Sequence, residues 1–355
     1  MAEAILMKGN EAIAEAAIRA GCRFFAGYPI TPQNEIPEYM SRRMFEVGGV
    51  FLQAESEVSA INMLYGAGGA GARALTSSSG PGLSLKQEGI SYLVGSEVPC
   101  VIVNIMRAGP GLGGIQASQA DYFQATRGGG HGDYRTVVLA PASLQELIDL
   151  TVEAFDIADR YRNPVLILGD AVLGQMMEPV VLPDMLTAFP DKPWATTGAK
   201  GRKPNIINSL YLIPEQLEEH NLALQRKFNQ MEATEVRYET LDCAAAEAVI
   251  VAYGTSARIC RGAVDKAKAL GVRAGLFRPV SLWPFPGRAL LEECPRAKLF
   301  LVVEMSTGQM VEDVRLAVCG RQAVHFYGRT GGMMPTPAGV AEEILRLTGH
   351  KGGQR

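Results

Sequence analysis

The sequence predicts an α/β protein: a doubly wound parallel sheet followed by a smaller α/β domain. Three observations lead there. Over the first 180 residues, short charge-free apolar runs alternate with stretches of helical periodicity, the pattern of parallel strands buried on both faces. Residues 181–240 break the rhythm with Pro183, Pro190, Pro193 and Pro204. From Ala248 the alternation resumes on a smaller scale.

Taken in order, Asn10 is read as the cap of a helix carrying Ile13, Ala17 and Ile18, closed by Gly21. The strand Cys22–Ala26 follows, then the turn Tyr28-Pro29-Ile30-Thr31-Pro32. Further strands are expected at Val50–Gln53, Arg73–Ser77, Val98–Met106, Thr136–Ala140 and Val165–Leu168. Helical patterns at Glu57–Tyr65, Leu83–Val94 and Leu144–Asp159 separate most of them. After the Pro-rich connector an amphipathic helix runs from Glu215 to Glu232, with Leu217, Leu224, Phe228 and Met231 near helical spacing. The second unit opens with a strand at Ala248–Tyr253 and a helix reaching Leu270. Strands at Arg273–Phe277 and Lys298–Val303 and helices from Val311 and Ala338 complete it. The expected division is residues 1–185, a connector at 186–242, and residues 243–355.

Composition narrows the function. The 355 residues carry 34 basic and 37 acidic side chains, a net charge of −3. Such a chain lacks the basic footprint of a nucleic-acid binder. No apolar run reaches the roughly 18 residues a membrane helix needs. No secretory signal is read at the start, and a cytoplasmic location is expected. The six cysteines include no C-x-x-C pair. No zinc ribbon or ferredoxin-type cluster is therefore written in this chain, and its own metal set is expected to be empty.

Several motifs invite a function. Gly109-Pro110-Gly111-Leu112-Gly113-Gly114 has the form G-x-G-x-x-G, but Pro110 removes an N–H that a pyrophosphate cradle needs. A ligand-covering loop is the better reading. Gly169-Asp170 is read as a strand end. More telling are Thr31 after the first strand, Glu57 opening a helix after the second, and Arg107 ending the fourth. In a doubly wound sheet these strand ends lie on one edge, where ligands bind. Glu55 and Glu57, two residues apart, are expected to point in different directions.

Gly27-Tyr28-Pro29-Ile30-Thr31-Pro32, Ser56-Glu57, Thr76–Gly82 and Gly130-His131-Gly132-Asp133 resemble the alpha subunit of 2-oxoacid:ferredoxin oxidoreductases, most of all the branched-chain (2-oxoisovalerate) type. The resemblance covers nearly the whole chain. It implies a pyrimidine-type thiamine diphosphate-binding domain followed by a domain like the carboxyl-terminal one of transketolase. It also implies cofactor contacts at Glu57 and Pro29, with Glu57 bonded to N1′ of the aminopyrimidine. The oxoacid carboxylate is expected on Thr31 and Arg107, and a pocket shaped by Gly109–Asp121 and Gly128–Asp133. Further implied are a beta subunit carrying the diphosphate and Mg2+, and gamma and ferredoxin-like subunits with iron–sulfur clusters. Coenzyme A would be cosubstrate and ferredoxin the electron acceptor. A 2-oxoglutarate-specific alpha subunit, a nonoxidative thiamine-dependent decarboxylase or transketolase-like subunit, and a nucleotide-binding regulatory module stay open beside it. Arg127 and Arg135 are the basic residues that could reach a second substrate carboxylate.

Overall fold

A computed structural model describes residues 4–350. The first three residues of the segment read for a leader lie outside that range. A two-stranded ribbon pairs β1 (Ile5–Lys8) antiparallel with β8 (Met177–Val180). The main sheet contains β2 (Phe24–Gly27), β3 (Val50–Gln53), β4 (Ala74–Ser78), β5 (Cys100–Met106), β6 (Val137–Leu139) and β7 (Pro164–Asp170). The second sheet contains β9 (Tyr238–Leu241), β10 (Ala248–Val251), β11 (Ala274–Pro279), β13 (Leu299–Glu304) and β14 (Ala323–Gly328). Between them in sequence, β12 (Ser281–Trp283) leaves the second sheet and pairs antiparallel with β6. The main sheet therefore runs β12-β6-β7-β5-β4-β2-β3, and the second β14-β13-β10-β11-β9.

All six strands expected in the first 180 residues form and pair in parallel. Every residue of β5 and β7 is buried, as befits central strands with helices on both faces. The helices Gly9–Arg19 and Leu144–Tyr161 pack together in one layer, and Glu57–Gly69 packs with Gln87–Gly95 in another. By contrast β3, at the edge, leaves Val50 and Leu52 exposed.

Two local readings change. Asn10 does not cap the first helix: Lys8 holds that position. Asn10 sits inside the helix, fully buried, and its Nδ2 donates to Pro32 O (2.8 Å) and Glu35 Oε2 (2.7 Å). The pattern Leu83–Val94 is also not one helix. It divides into Pro81–Ser84 and Gln87–Gly95, with Leu85 and Lys86 at the break. The connector helix spans Pro214–Thr234 and buries Leu224, Phe228 and Met231, leaving Leu217 outside.

The carboxyl ends of the two sheets meet over Gln119. Its Nε2 donates to Tyr253 O (2.9 Å), while its Oε1 accepts from Ser256 Oγ (2.6 Å) and Met305 N (2.9 Å). Asp170, at the end of β7, accepts from Val172 N (2.9 Å) and Thr255 Oγ1 (2.9 Å). That is a helix cap and a tie between domains, in keeping with its reading as a strand end. Among the described residues no helix is long and apolar enough to cross a membrane.

Candidate active site

Short parallel strands deliver their following loops to a common edge, and three such loops build the site. The loop after β2 carries exposed Pro29 and half-buried Thr31. Arg107 follows β5, buried, and its Nη1 donates to Thr31 O at 3.0 Å. Its Nη2 donates to Leu112 O at 3.1 Å, and its Nε is buried with no partner. Thr31 and Arg107 are thus brought together, through the Thr31 backbone. The Thr31 hydroxyl has a long contact from Asn34 Nδ2, 3.4 Å.

Glu57 is the first residue of the helix Glu57–Gly69, which Ser56 caps by accepting from Ser59 N at 3.2 Å. Its side chain is buried and has no hydrogen-bond partner among the described residues. Glu55 instead lies outside and bonds Ser59 Oγ, so the two carboxyls do diverge. Between Arg107 and Glu57 runs the turn Gly80-Pro81-Gly82. Gly80 has φ +46°, and a Cβ there would lie 3.3 Å from Arg107 Cγ. A Cβ on Gly82 would lie 2.5 Å from Glu57 Oε1. Both glycines let the backbone come close to the charged groups on either side.

Three further groups went unread in the sequence. The Ser78 and Ser79 hydroxyls are buried without partners. Lys86 is fully buried, and its Nζ donates to Thr76 Oγ1 at 3.1 Å. Burial lowers its pKa to about 8, against the pull of Glu57, which raises it. Asn104, in the middle of β5, donates to Asp121 at 3.0 Å. Burial raises the Asp121 carboxyl above its usual range, and Asn104 and Arg107 draw it back.

The glycine-rich loop closes on itself. Arg107 and Ala117 form an isolated bridge, Ala108 N donates to Gln116 O (3.0 Å), and Gly114 N to Ala108 O (2.8 Å). The next helix begins only at Tyr122. The loop therefore lacks the helix start on which a dinucleotide pyrophosphate rests, and Leu112 and Ile115 project outward. The Gly128–Asp133 turn packs beside Gln87, with the places of Cβ atoms on Gly129 and Gly130 within 3 Å of it. Ser91 Oγ donates to His131 O (2.7 Å), and the His131 ring meets Tyr92 edge-on, so the turn packs on the helix Gln87–Gly95. Arg127 pairs with Asp313 (3.1 Å) and Glu312 (3.5 Å), and Arg135 donates to Tyr134 O. Among the described residues no cluster of three or more His, Cys, Asp or Glu could hold a metal ion.

A parallel α/β sheet with buried, unsatisfied polar groups along its carboxyl edge defines a ligand-binding domain, and the comparisons say of which class. Residues 15–241 match the family described as "Pyruvate flavodoxin/ferredoxin oxidoreductase, thiamine diP-bdg". Residues 246–340 match "Pyruvate:ferredoxin oxidoreductase core domain II". The chain belongs to the 2-oxoacid:ferredoxin oxidoreductase family. It is 50% identical to the ketoisovalerate oxidoreductase subunit VorB of Methanothermobacter marburgensis, over 97% of this chain and 98% of that one. It is 42% identical to the 2-oxoglutarate synthase subunit KorA of Archaeoglobus fulgidus, over 91% and 94%. Among solved structures it resembles the 2-oxoglutarate:ferredoxin oxidoreductase of Magnetococcus marinus with 2-oxoglutarate, coenzyme A and succinyl-CoA bound. That match has a TM-score of 0.88 at 27% identity, over 97% of this chain and 65% of that one.

Proposed function

We propose that this chain is the catalytic alpha subunit of a complex that oxidatively decarboxylates a branched-chain 2-oxoacid, 2-oxoisovalerate above others. Coenzyme A accepts the acyl group, CO2 leaves, and two electrons pass to ferredoxin. The observation that carries the reading is the pair of buried charged groups flanking the Gly80–Gly82 turn, each with bonding capacity unused: Glu57 and the Arg107 Nε. Identity of 50% to the ketoisovalerate subunit against 42% to the 2-oxoglutarate subunit supports the branched substrate. The engagement of Arg127 by Asp313 and Glu312 removes one of the two bases that could meet a second carboxylate.

The residues fit a thiamine diphosphate pyrimidine. Glu57 offers a buried, unpartnered carboxyl, and Gly82 keeps the space before it clear. The bound cofactor supplies the nucleophilic carbon and electron sink for decarboxylation. Glu57 then holds a proton against the pyrimidine ring nitrogen N1′, with Pro29 alongside as a cofactor contact. Arg107 and the Thr31 hydroxyl take the oxoacid carboxylate, and a planar guanidinium fixes its orientation through two parallel bonds. The side of the guanidinium formed by Nε and Nη2 faces that task, but Leu112 O already holds Nη2. A carboxylate bound through both nitrogens displaces Leu112 and moves the glycine-rich loop. Exposed Tyr28, Val58, Leu85 and Leu112 stand beside the site loops and form an apolar rim suited to a covering subunit. In this reading that beta subunit brings the diphosphate and Mg2+ site, and gamma and ferredoxin-like subunits bring the iron–sulfur clusters.

The test is coenzyme A-dependent dye reduction by the anaerobically purified complex across a panel of 2-oxoacids. Fastest reduction with 2-oxoisovalerate is expected. Preference for 2-oxoglutarate would reassign the substrate, and no coenzyme A-dependent reduction would overturn the redox reading.

A further inference from the structure

Hydroxyl residues follow one another from Thr76 to Ser79, out of β4 and into the turn before Gly80. All of them are buried, but their protons are used differently. Thr76 donates to Ala26 O at 2.7 Å, and Ser77 donates to Gln33 Oε1 at 2.5 Å. The hydroxyls of Ser78 and Ser79 have no partner among the described residues. Side chains alternate along a strand, so Ser78 shares the face of Thr76 and lies opposite Ser77. There it meets Glu57 across Gly82. A Cβ on Gly82 would fall no more than 2.5 Å from both Ser78 Oγ and Glu57 Oε1, and the atoms nearest to it belong to those two side chains. The two oxygens therefore lie within about 5 Å of each other, and a hydrogen bond between them needs about 2.7 Å. Closing that gap takes roughly 2 Å at most, the size of a rotamer change. A donor with its proton unspent thus stands next to an acceptor with no partner, and a side chain at position 82 would part them.

We propose that Ser78 is a positioning residue for Glu57: with the pyrimidine bound, the Ser78 hydroxyl donates to Glu57 Oε1 and fixes the plane of the carboxyl, leaving its other oxygen for the ring nitrogen N1′. This deepens the assignment of Glu57 to the pyrimidine and rests on it. The last torsion of a glutamate is soft, and a carboxyl held at one oxygen only can turn about it. A second bond removes that freedom, and sharing a proton with a ring nitrogen depends on orientation. Ser78 touches no reacting atom and acts through Glu57 alone.

The experiment measures thiamine diphosphate affinity of the assembled complex by calorimetry, together with the circular dichroism of the bound pyrimidine. Ser78→Ala is expected to bind the cofactor roughly tenfold more weakly and to alter the dichroic band, with assembly intact. Ser78→Cys keeps a side chain at that place but only a weak donor; it is expected to show the same loss, and it carries the test where Ser78→Ala does not assemble. In a Glu57→Ala background, either Ser78 substitution is expected to cost nothing more. Unchanged affinity and dichroism in both Ser78 variants overturn the proposal. So does an equal loss with and without Glu57, which would mean that Ser78 does not act through that carboxyl. Wild-type affinity in Glu57→Ala alone would instead overturn the assignment of Glu57 to the pyrimidine, a result distinct from the other two.

Discussion

Two buried polar clusters lie at the carboxyl edge of the main sheet. In the seam between domains, Gln119, Asp170, Thr255, Ser256 and Glu304 are all buried and all hydrogen-bonded. Glu304 alone accepts from Ser306 Oγ (3.0 Å) and from the backbone N–H groups of Met310 and Val311 (both 3.0 Å). On the next two strands, β5 and β4, the Arg107 Nε and the hydroxyls of Ser78 and Ser79 are buried with nothing to bond. Glu57, also buried, makes no side-chain hydrogen bond among the described residues. An unsatisfied buried group costs about 1–3 kcal/mol, and a fold that completes one cluster could complete the other. We read the difference as that between a joint and a place kept for a ligand.

Substitutions on the open side should strike the reaction, and those on the closed side the stability. Glu57→Gln has the largest expected effect. Oxoacid-dependent dye reduction and C2 proton exchange of bound thiamine diphosphate should fall by roughly a hundredfold or more, with assembly intact. Wild-type turnover would erase the distinction between the clusters. Arg107→Ala should lower kcat/KM for oxoacids by roughly tenfold to a hundredfold, raising KM and depressing kcat. Unchanged kinetics would make Arg107 a tether for Leu112 and Thr31 and nothing more.

The closed cluster answers in degrees. Gln119→Leu strips acceptors from Ser256 and Met305 and should cost about 1–3 kcal/mol. That is a fall of a few degrees in the thermal midpoint of the complex, with KM unchanged; a shift in KM would place Gln119 in the site. Asp170→Asn should be the gentlest. Burial raises the Asp170 carboxyl above its usual range, so the folded state holds that proton more tightly than the unfolded chain. The stability this confers is full below the ordinary carboxylate range and is lost as pH rises through the raised folded value. Asp170→Asn should therefore gain on wild type in thermal midpoint as pH climbs from about 4 toward neutrality. Parallel curves would mean that Asp170 does not titrate within the seam.

Much of this was legible because local and tertiary preferences agree. Each strand from β2 to β7 is an apolar run bounded by turn-formers, and strand ends in such a sheet bring Thr31, Glu57 and Arg107 to one edge. What escaped was decided by distant partners. Asn10 has the chemistry of a cap, but Pro32 and Glu35 draw it inside the helix. The ribbon of β1 and β8 joins segments far apart in sequence, and no local period announces it. Lys86 lies in a stretch with continuous helical periodicity, so the break that buries it does not show. Ser78 and Ser79 belong to a run of small residues that a strand end explains equally well. Their missing hydrogen bonds, and not their identity, draw them into the proposed site.

The excursion of β12 into the main sheet has a consequence for synthesis. The outer edge of β6 is covered by residues 281–283, which follow β10 and β11 of the other sheet. At ~5–20 residues per second, the ribosome delivers that cover on the order of ten seconds after β6 itself emerges. Until then the nascent sheet presents an open edge, and open edges recruit other chains. The brevity of β6, three residues, keeps that edge a poor template. The pace of translation, more than the stability of the finished protein, sets how long it stays bare.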